Sequence, residues 1–234
     1  MERTMSTAPS RMHEGLDTPV RRIAQVLARF EANRRDLLAW IDRSWLPAWA
    51  ERLVPGLRRE EGARALAHAI GLGLPRLDAC TADDPATGSL AMLSVEQALT
   101  MLRVRSLWFR RNELRRLVGR VSRDHCAQLV GTRGAVGLLR QMQAVTDGPQ
   151  IEPLRRAGMP AVDTLTALAV AWEGWCLFRR DGVLPVDGPA DLVRLALPRE
   201  WSEPDWLAGL DRTIDADGSV RTLELLPHLF PERS

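Results

Sequence analysis

Apolar residues recur along this chain every three or four positions, the spacing of one face of an α-helix. Val20, Ile23, Leu27, Phe30, Leu37 and Ile41 form the first such stripe, interrupted by Arg34. Arg21, Arg22, Arg29, Arg35 and Asp36 lie on the opposite face. Asp17 is placed to cap this helix, with Pro19 tolerated in its first turn. Pro47 opens a short second helix that Pro55-Gly56 ends, and a third spans roughly 57–72 before Gly71, Gly73 and Pro75 stop it. Residues 76–89 read as a loop. Ser94-Val95-Glu96-Gln97 is a capping-box pattern that opens a helix carrying Leu99, Leu102, Leu107 and Trp108. A further helix over 111–119 has Leu114, Leu117 and Val118 on one side. Ser122 caps the next, which carries Cys126, Leu129 and Val130 and ends at Gly131. A short helix over 134–145 ends before Asp147-Gly148-Pro149. A long one runs from Pro160 to about Arg180, where Asp181-Gly182 closes it.

The last third differs in style. It is rich in proline and acid, with one helix over 203–210 and a strand-like alternation through Thr213, Ile214, Val220 and Leu223. Asp217-Gly218 between β-prone residues is a hairpin signal. The pattern predicts an all-α fold, a compact multi-helix domain with one small β-hairpin near the C-terminus. It divides into a disordered stretch over 1–16, a helical domain over 17–200 and an acidic segment over 201–234, containing proline and tryptophan, packed on that domain.

Charge sharpens this picture. All 32 basic residues of the 234 are arginine, and the net charge is only +2. Eight arginines lie between Arg103 and Arg123 against the single acid Glu113, whereas the segment from Asp187 onward carries ten acids and five arginines. A basic middle and an acidic tail point to partners rather than to a reaction. The candidate partner face is Arg103, Arg110, Arg111, Arg115 and Arg116, on a helix pair whose leucines face the core. The runner-up reading is an arginine-rich nucleic-acid-binding regulator, with Trp108 and Phe109 interleaved for base stacking. Eight tryptophans beside four phenylalanines add a second candidate contact, Trp45 and Trp49 near Trp40, since tryptophan is enriched at interface hot spots; core packing is the competing reading. Trp201 and Trp206 flank an acidic loop suited to docking the tail onto the basic middle.

The remaining chemistry is thin. Thr213 to Glu224 resembles a calcium-binding loop, with Asp215, Asp217 and Glu224 as ligands, but Thr213 stands where the first aspartate belongs. His125-Cys126 are neighbours on a helix and point apart, so they make a poor nucleophile–base pair. Cys80, Cys126 and Cys176 are odd in number and widely spaced, which suits buried thiols in a reducing compartment. The expectation is a non-enzymatic chain with no catalytic residues, no metal and no cofactor. With no signal peptide and no apolar run long enough to span a bilayer, it is expected to be cytoplasmic.

A family resemblance runs over roughly residues 90–200. Leu93 to Leu99 leads into Leu107-Trp108-Phe109, then Glu113-Leu114-Arg115-Arg116, then Gln128-Leu129-Val130-Gly131; after the long helix comes Leu192 to Pro198. Together these resemble the SctK family of type III secretion proteins, in its Hrp-type branch. The resemblance implies a cytosolic accessory subunit of the sorting platform. Such a subunit links the pod-forming protein to the cytoplasmic domain of the inner-membrane ring, and it lies at the inner membrane only through these partners. It implies no enzymatic activity, no cofactor and no small-molecule substrate.

Overall fold

A computed structural model describes residues 12–50, 59–76, 89–117, 119–131 and 135–231. Among them there is no strand. The helices are α1 (Met12–Arg35), α2 (Leu37–Trp40), α3 (Arg59–Ala69), α4 (Val95–Phe109), α5 (Arg111–Arg116), α6 (Arg120–Val130), α7 (Ala135–Ala144), α8 (Ile151–Arg156), α9 (Ala167–Arg180), α10 (Asp205–Ala208), α11 (Gly218–Leu223) and α12 (Leu226–Leu229). Short 3-10 turns occupy Arg43–Trp45, Val162–Thr164 and Pro189–Ala196. The end of the expected second helix, most of the loop over 76–89, Val118 and Cys80 lie outside the described residues.

Helix α4 is the axis of the fold. Its start is fixed locally: Ser94 Oγ accepts from Gln97 N at 3.3 Å and Gln97 Oε1 accepts from Ser94 N at 3.0 Å, a complete capping box. It is buried along most of its surface, Thr100, Arg105 and Ser106 included, while a stripe through Glu96, Leu99 and Arg103 is exposed or half-buried. Such a helix belongs in an interior rather than on a surface. One side joins a cluster with Leu177 and Phe178 of α9, Trp206 and Leu207 of α10 and Leu223 of α11. The other side, through Val104 and Leu107, meets Leu114, Leu129, Leu139 and Met142. A third cluster joins Phe30 of α1, Leu37 of α2 and Leu66 of α3 to Leu192 and Leu195.

Helices α4 and α9 touch backbone to backbone. A Cβ at Gly174 would sit 1.8 Å from the carbonyl oxygen of Leu102, so only glycine fits there. Thr166 caps α9 by accepting from Ala169 N at 3.2 Å. The segment between Pro160 and Arg180 is therefore a 3-10 turn followed by α9, not one continuous helix. Elsewhere α1 begins before Asp17, so that residue is not its cap, and α6 begins at Arg120 with Gly119 before it, so Ser122 lies inside the helix. Gly131 ends α6 with φ +74°, the left-handed C-cap expected of glycine.

The hairpin is not formed. Residues 212–217 make turns, and Asp217-Gly218 opens α11. Asp215, at φ +61°, takes the left-handed conformation that Asp tolerates better than most residues. A Cβ at Gly218 would lie 2.1 Å from Asp215 Oδ2 and 2.7 Å from an Arg105 nitrogen. The glycine that looked like a hairpin turn is there to make room for an ion pair.

Candidate functional site

The middle arginines divide into an inner and an outer set. Arg105 and Arg110 are completely buried and Arg111 is 2% exposed. Arginine is almost never buried without a counter-charge, and each of these has at least one. Arg105 donates from Nη1 to Asp215 Oδ2 at 2.7 Å, from Nη2 to Asp181 Oδ2 at 2.9 Å and from Nε to Ser219 Oγ at 2.9 Å. Ser219 also donates to Asp181. Arg111 donates to Asp215 Oδ1 at 2.7 Å and to Asp147 Oδ1 from two nitrogens at 3.0 and 3.2 Å. Asp147 accepts as well from Arg221 Nη1 at 2.7 Å. Asp215 thus stands between Arg105 of α4 and Arg111 of α5, and holds the turn before α11 against both.

Arg110 makes a two-pronged contact with Glu173 of α9, at 2.6 and 2.9 Å. It also bonds Glu113 at 2.9 Å and the Pro160 carbonyl at 2.9 Å. Burial alone would lower the pKa of Arg110, but the charge and hydrogen bonds of Glu173, then of Glu113, outweigh it and raise it. Glu113 accepts in turn from Arg155 Nη2 at 2.7 Å and Val162 N at 2.9 Å. Trp206 of α10 lies under the Arg110 guanidinium at 5.8 Å and beside Phe109 at 5.8 Å.

These positions correct the expected basic face. Arg110 and Arg111 face inward and are engaged by carboxylates. Arg103 is half-buried, and desolvation, opposed by Glu96, lowers its pKa. Only Arg115 and Arg116 are exposed, and Arg116 pairs with exposed Glu152 of α8. The nucleic-acid reading loses its stacking platform, since Trp108 is 7% exposed and Phe109 fully buried. The calcium-like loop loses its central ligand, because both oxygens of Asp215 are held by guanidinium groups.

The aromatic pair also separates. Trp45 is half-buried; its Nε1 donates to Leu197 O at 2.8 Å, and its ring carries Arg194 at 5.3 Å and Arg199 at 5.4 Å. Arg194 lies over Trp172 as well, at 4.5 Å, and bonds the carbonyls of Leu197 and Pro198 at 3.0 and 2.8 Å. Trp45 is therefore bound into the fold with the segment around Leu197-Pro198. Trp49 is 39% exposed. Trp40 donates to Asn33 O at 2.9 Å.

Sequence reasoning did not find a groove between α5, α6 and α7. Leu114, Leu117, Cys126 and Leu139 form its floor, and Arg120, Arg123 and Arg140 stand at its rim, around a cavity of about 240 Å³. Val136 on α7 lines it and is 53% exposed. The signal was present as Arg120, Arg123 and Arg140 beside apolar positions of two short helices. Burial pushes the Cys126 thiol up to about 11 and the Cys176 thiol up to about 12, so neither is a thiolate near neutral pH. His125 Nε2 meets Leu165 O at 3.1 Å rather than the neighbouring thiol.

The described residues are thus all-α, with middle and tail joined by buried ion pairs and an arginine-rimmed groove outside them. The chain belongs to the HrpB4 family of bacterial type III secretion proteins, whose family model matches residues 17–232. The match supports the Hrp-type resemblance read over 90–200 and extends it across nearly the whole chain. No curated protein and no solved structure matches the chain. No helix among the described residues is long and apolar enough to cross a membrane.

Proposed function

We propose that this type III secretion protein is a non-catalytic adaptor on the cytosolic side of the apparatus. It joins the pod-forming subunit of the sorting platform to the cytoplasmic domain of the inner-membrane ring. The observation that carries the reading is the outward pair Arg115 and Arg116, exposed on α5 in a member of a secretion family. Their neighbours Arg110 and Arg111 have been taken up by the interior. Exposed guanidinium groups suit bidentate contact with carboxylates of a partner. Exposed Trp49 offers an additional contact of the kind enriched at hot spots. The adaptor works without a cofactor and reaches the inner membrane through its partners.

The test is capture. Tagged protein is recovered from cytosolic and membrane fractions of its own cells, and what comes with it is identified by mass spectrometry. Co-recovery of ring and pod components supports the reading; nucleic acid, or no apparatus component, overturns it. Contacts of this kind mainly set encounter rate and specificity, so recovery should weaken as salt is raised.

A further inference from the structure

We infer that the groove between α5, α6 and α7 is a docking site for an acidic amphipathic helix of a partner protein. The inference deepens the adaptor reading and rests on it for the partner's membership of the secretion apparatus. Four features identify the occupant. The floor, Leu114, Leu117, Cys126 and Leu139, is aliphatic and thiol without an aromatic ring, so it takes apolar side chains and offers no platform for stacked bases. Its volume, about 240 Å³, falls below the ~300–1,000 Å³ of typical small-molecule pockets and suits one or two anchoring side chains.

The rim supplies the charge. Arg120, Arg123 and Arg140 surround the floor, and the one acid that lines the groove, Asp124, lies 3.6 Å from Arg120. Both side chains of that pair are largely exposed, at 90% and 60%, so the pairing is weak and gives way readily to a partner carboxylate. Arg115 extends the same positive field along α5, while Arg116 beside it is shared with exposed Glu152. A leucine face for the floor and glutamates or aspartates for the rim are the two faces of one amphipathic helix, the helix-in-groove mode of recognition. The flanking helices α6 and α7 have 11 and 10 residues, or about 15 Å of length, which matches roughly three turns of a bound helix. A flat bilayer surface does not reach the floor of a concave site.

The experiment places a photo-cross-linking benzoylphenylalanine at Val136, inside the groove, and separately at Val20 of α1, which is 62% exposed and serves as control. After irradiation in the protein's own cells, the attached segment is sequenced by mass spectrometry. The expected product at Val136 is a segment with apolar residues at helical spacing and an excess of acid. Its yield should fall on the order of tenfold or more when Arg123→Glu and Arg140→Glu are combined, since reversed charges at a rim repel an acidic partner. Unchanged thermal unfolding of that variant shows that the loss is one of docking. A basic or non-helical segment, nucleic acid, lipid, or a yield no higher than at Val20 overturns the inference. So does an acidic segment whose yield ignores the charge reversal. An acidic helix from a protein outside the apparatus keeps the groove and overturns the adaptor reading instead.

Discussion

At the scale of single residues, the inner arginines act through the carboxylates that face them. A buried ion pair adds little over a well-packed apolar pair, but removing one partner leaves an uncompensated charge. Glu173→Gln strips the two-pronged partner from Arg110 and should cost about 3 kcal/mol in a denaturant titration. Asp215→Asn should cost as much, because it faces both Arg105 and Arg111. The double variant Arg110→Met with Glu173→Leu should lose less than Glu173→Gln alone, and a loss equal to the sum of the two single changes would contradict the pairing. Asp147 gives the pH dependence. The Arg221 hydrogen bond holds its carboxyl below the usual range; burial opposes it, and the Arg111 hydrogen bond and the charges of both arginines add to the lowering. A depressed folded pKa contributes stability above the unfolded value, about 3.9, and loses it as pH falls through the folded one. The stability gap between the natural chain and Asp147→Asn should therefore be widest near neutral pH and close below about pH 4. The carboxylate is half exposed, so solvent screening keeps the gap small.

At the scale of elements, α4 and α9 meet backbone to backbone at Gly174. Gly174→Ala drives a methyl group into the Leu102 carbonyl, and backbone cannot move aside as a side chain does. Overpacking in a core costs about 1–3 kcal/mol, and this contact should lie at or above the top of that range. A thermal midpoint lowered by only a degree or two would mean that the helices are farther apart than described. Local signals in the chain were legible: the Ser94–Gln97 capping box, the Gly131 stop and the helical stripes each depend on residues within a turn or two. What was not legible depends on distance along the chain. Arg105 meets Asp181 and Asp215 from 76 and 110 positions away, and no periodic pattern records such a pairing. A reading that sends every arginine outward therefore misplaces Arg110 and Arg111, whose carboxylate partners Glu173, Asp147 and Asp215 lie far along the chain. Asp217-Gly218 misled for the same reason, because the local hairpin signal competed with a long-range demand for space around Asp215.

At the scale of the whole molecule, fold and docking draw on separate arginines of one stretch. Arg105, Arg110 and Arg111 hold α9, α11 and the 147–148 turn to α4 and the start of α5, while Arg115, Arg116, Arg120, Arg123 and Arg140 face outward on α5 to α7. That division explains how a chain with a net charge of only +2 presents outward arginines here: Asp215 of the acidic tail, with Glu113, Asp147, Glu173 and Asp181, neutralises the inner set and leaves the outer one. The most direct test compares Arg115→Glu with Arg116→Glu, made together, against the natural chain in two readouts on the same preparations. Thermal unfolding should be unchanged within about 0.5 kcal/mol, as for exposed substitutions generally, while recovery of secretion-apparatus components with the tagged protein is lost. Retained recovery, or a protein that no longer folds, would contradict the account.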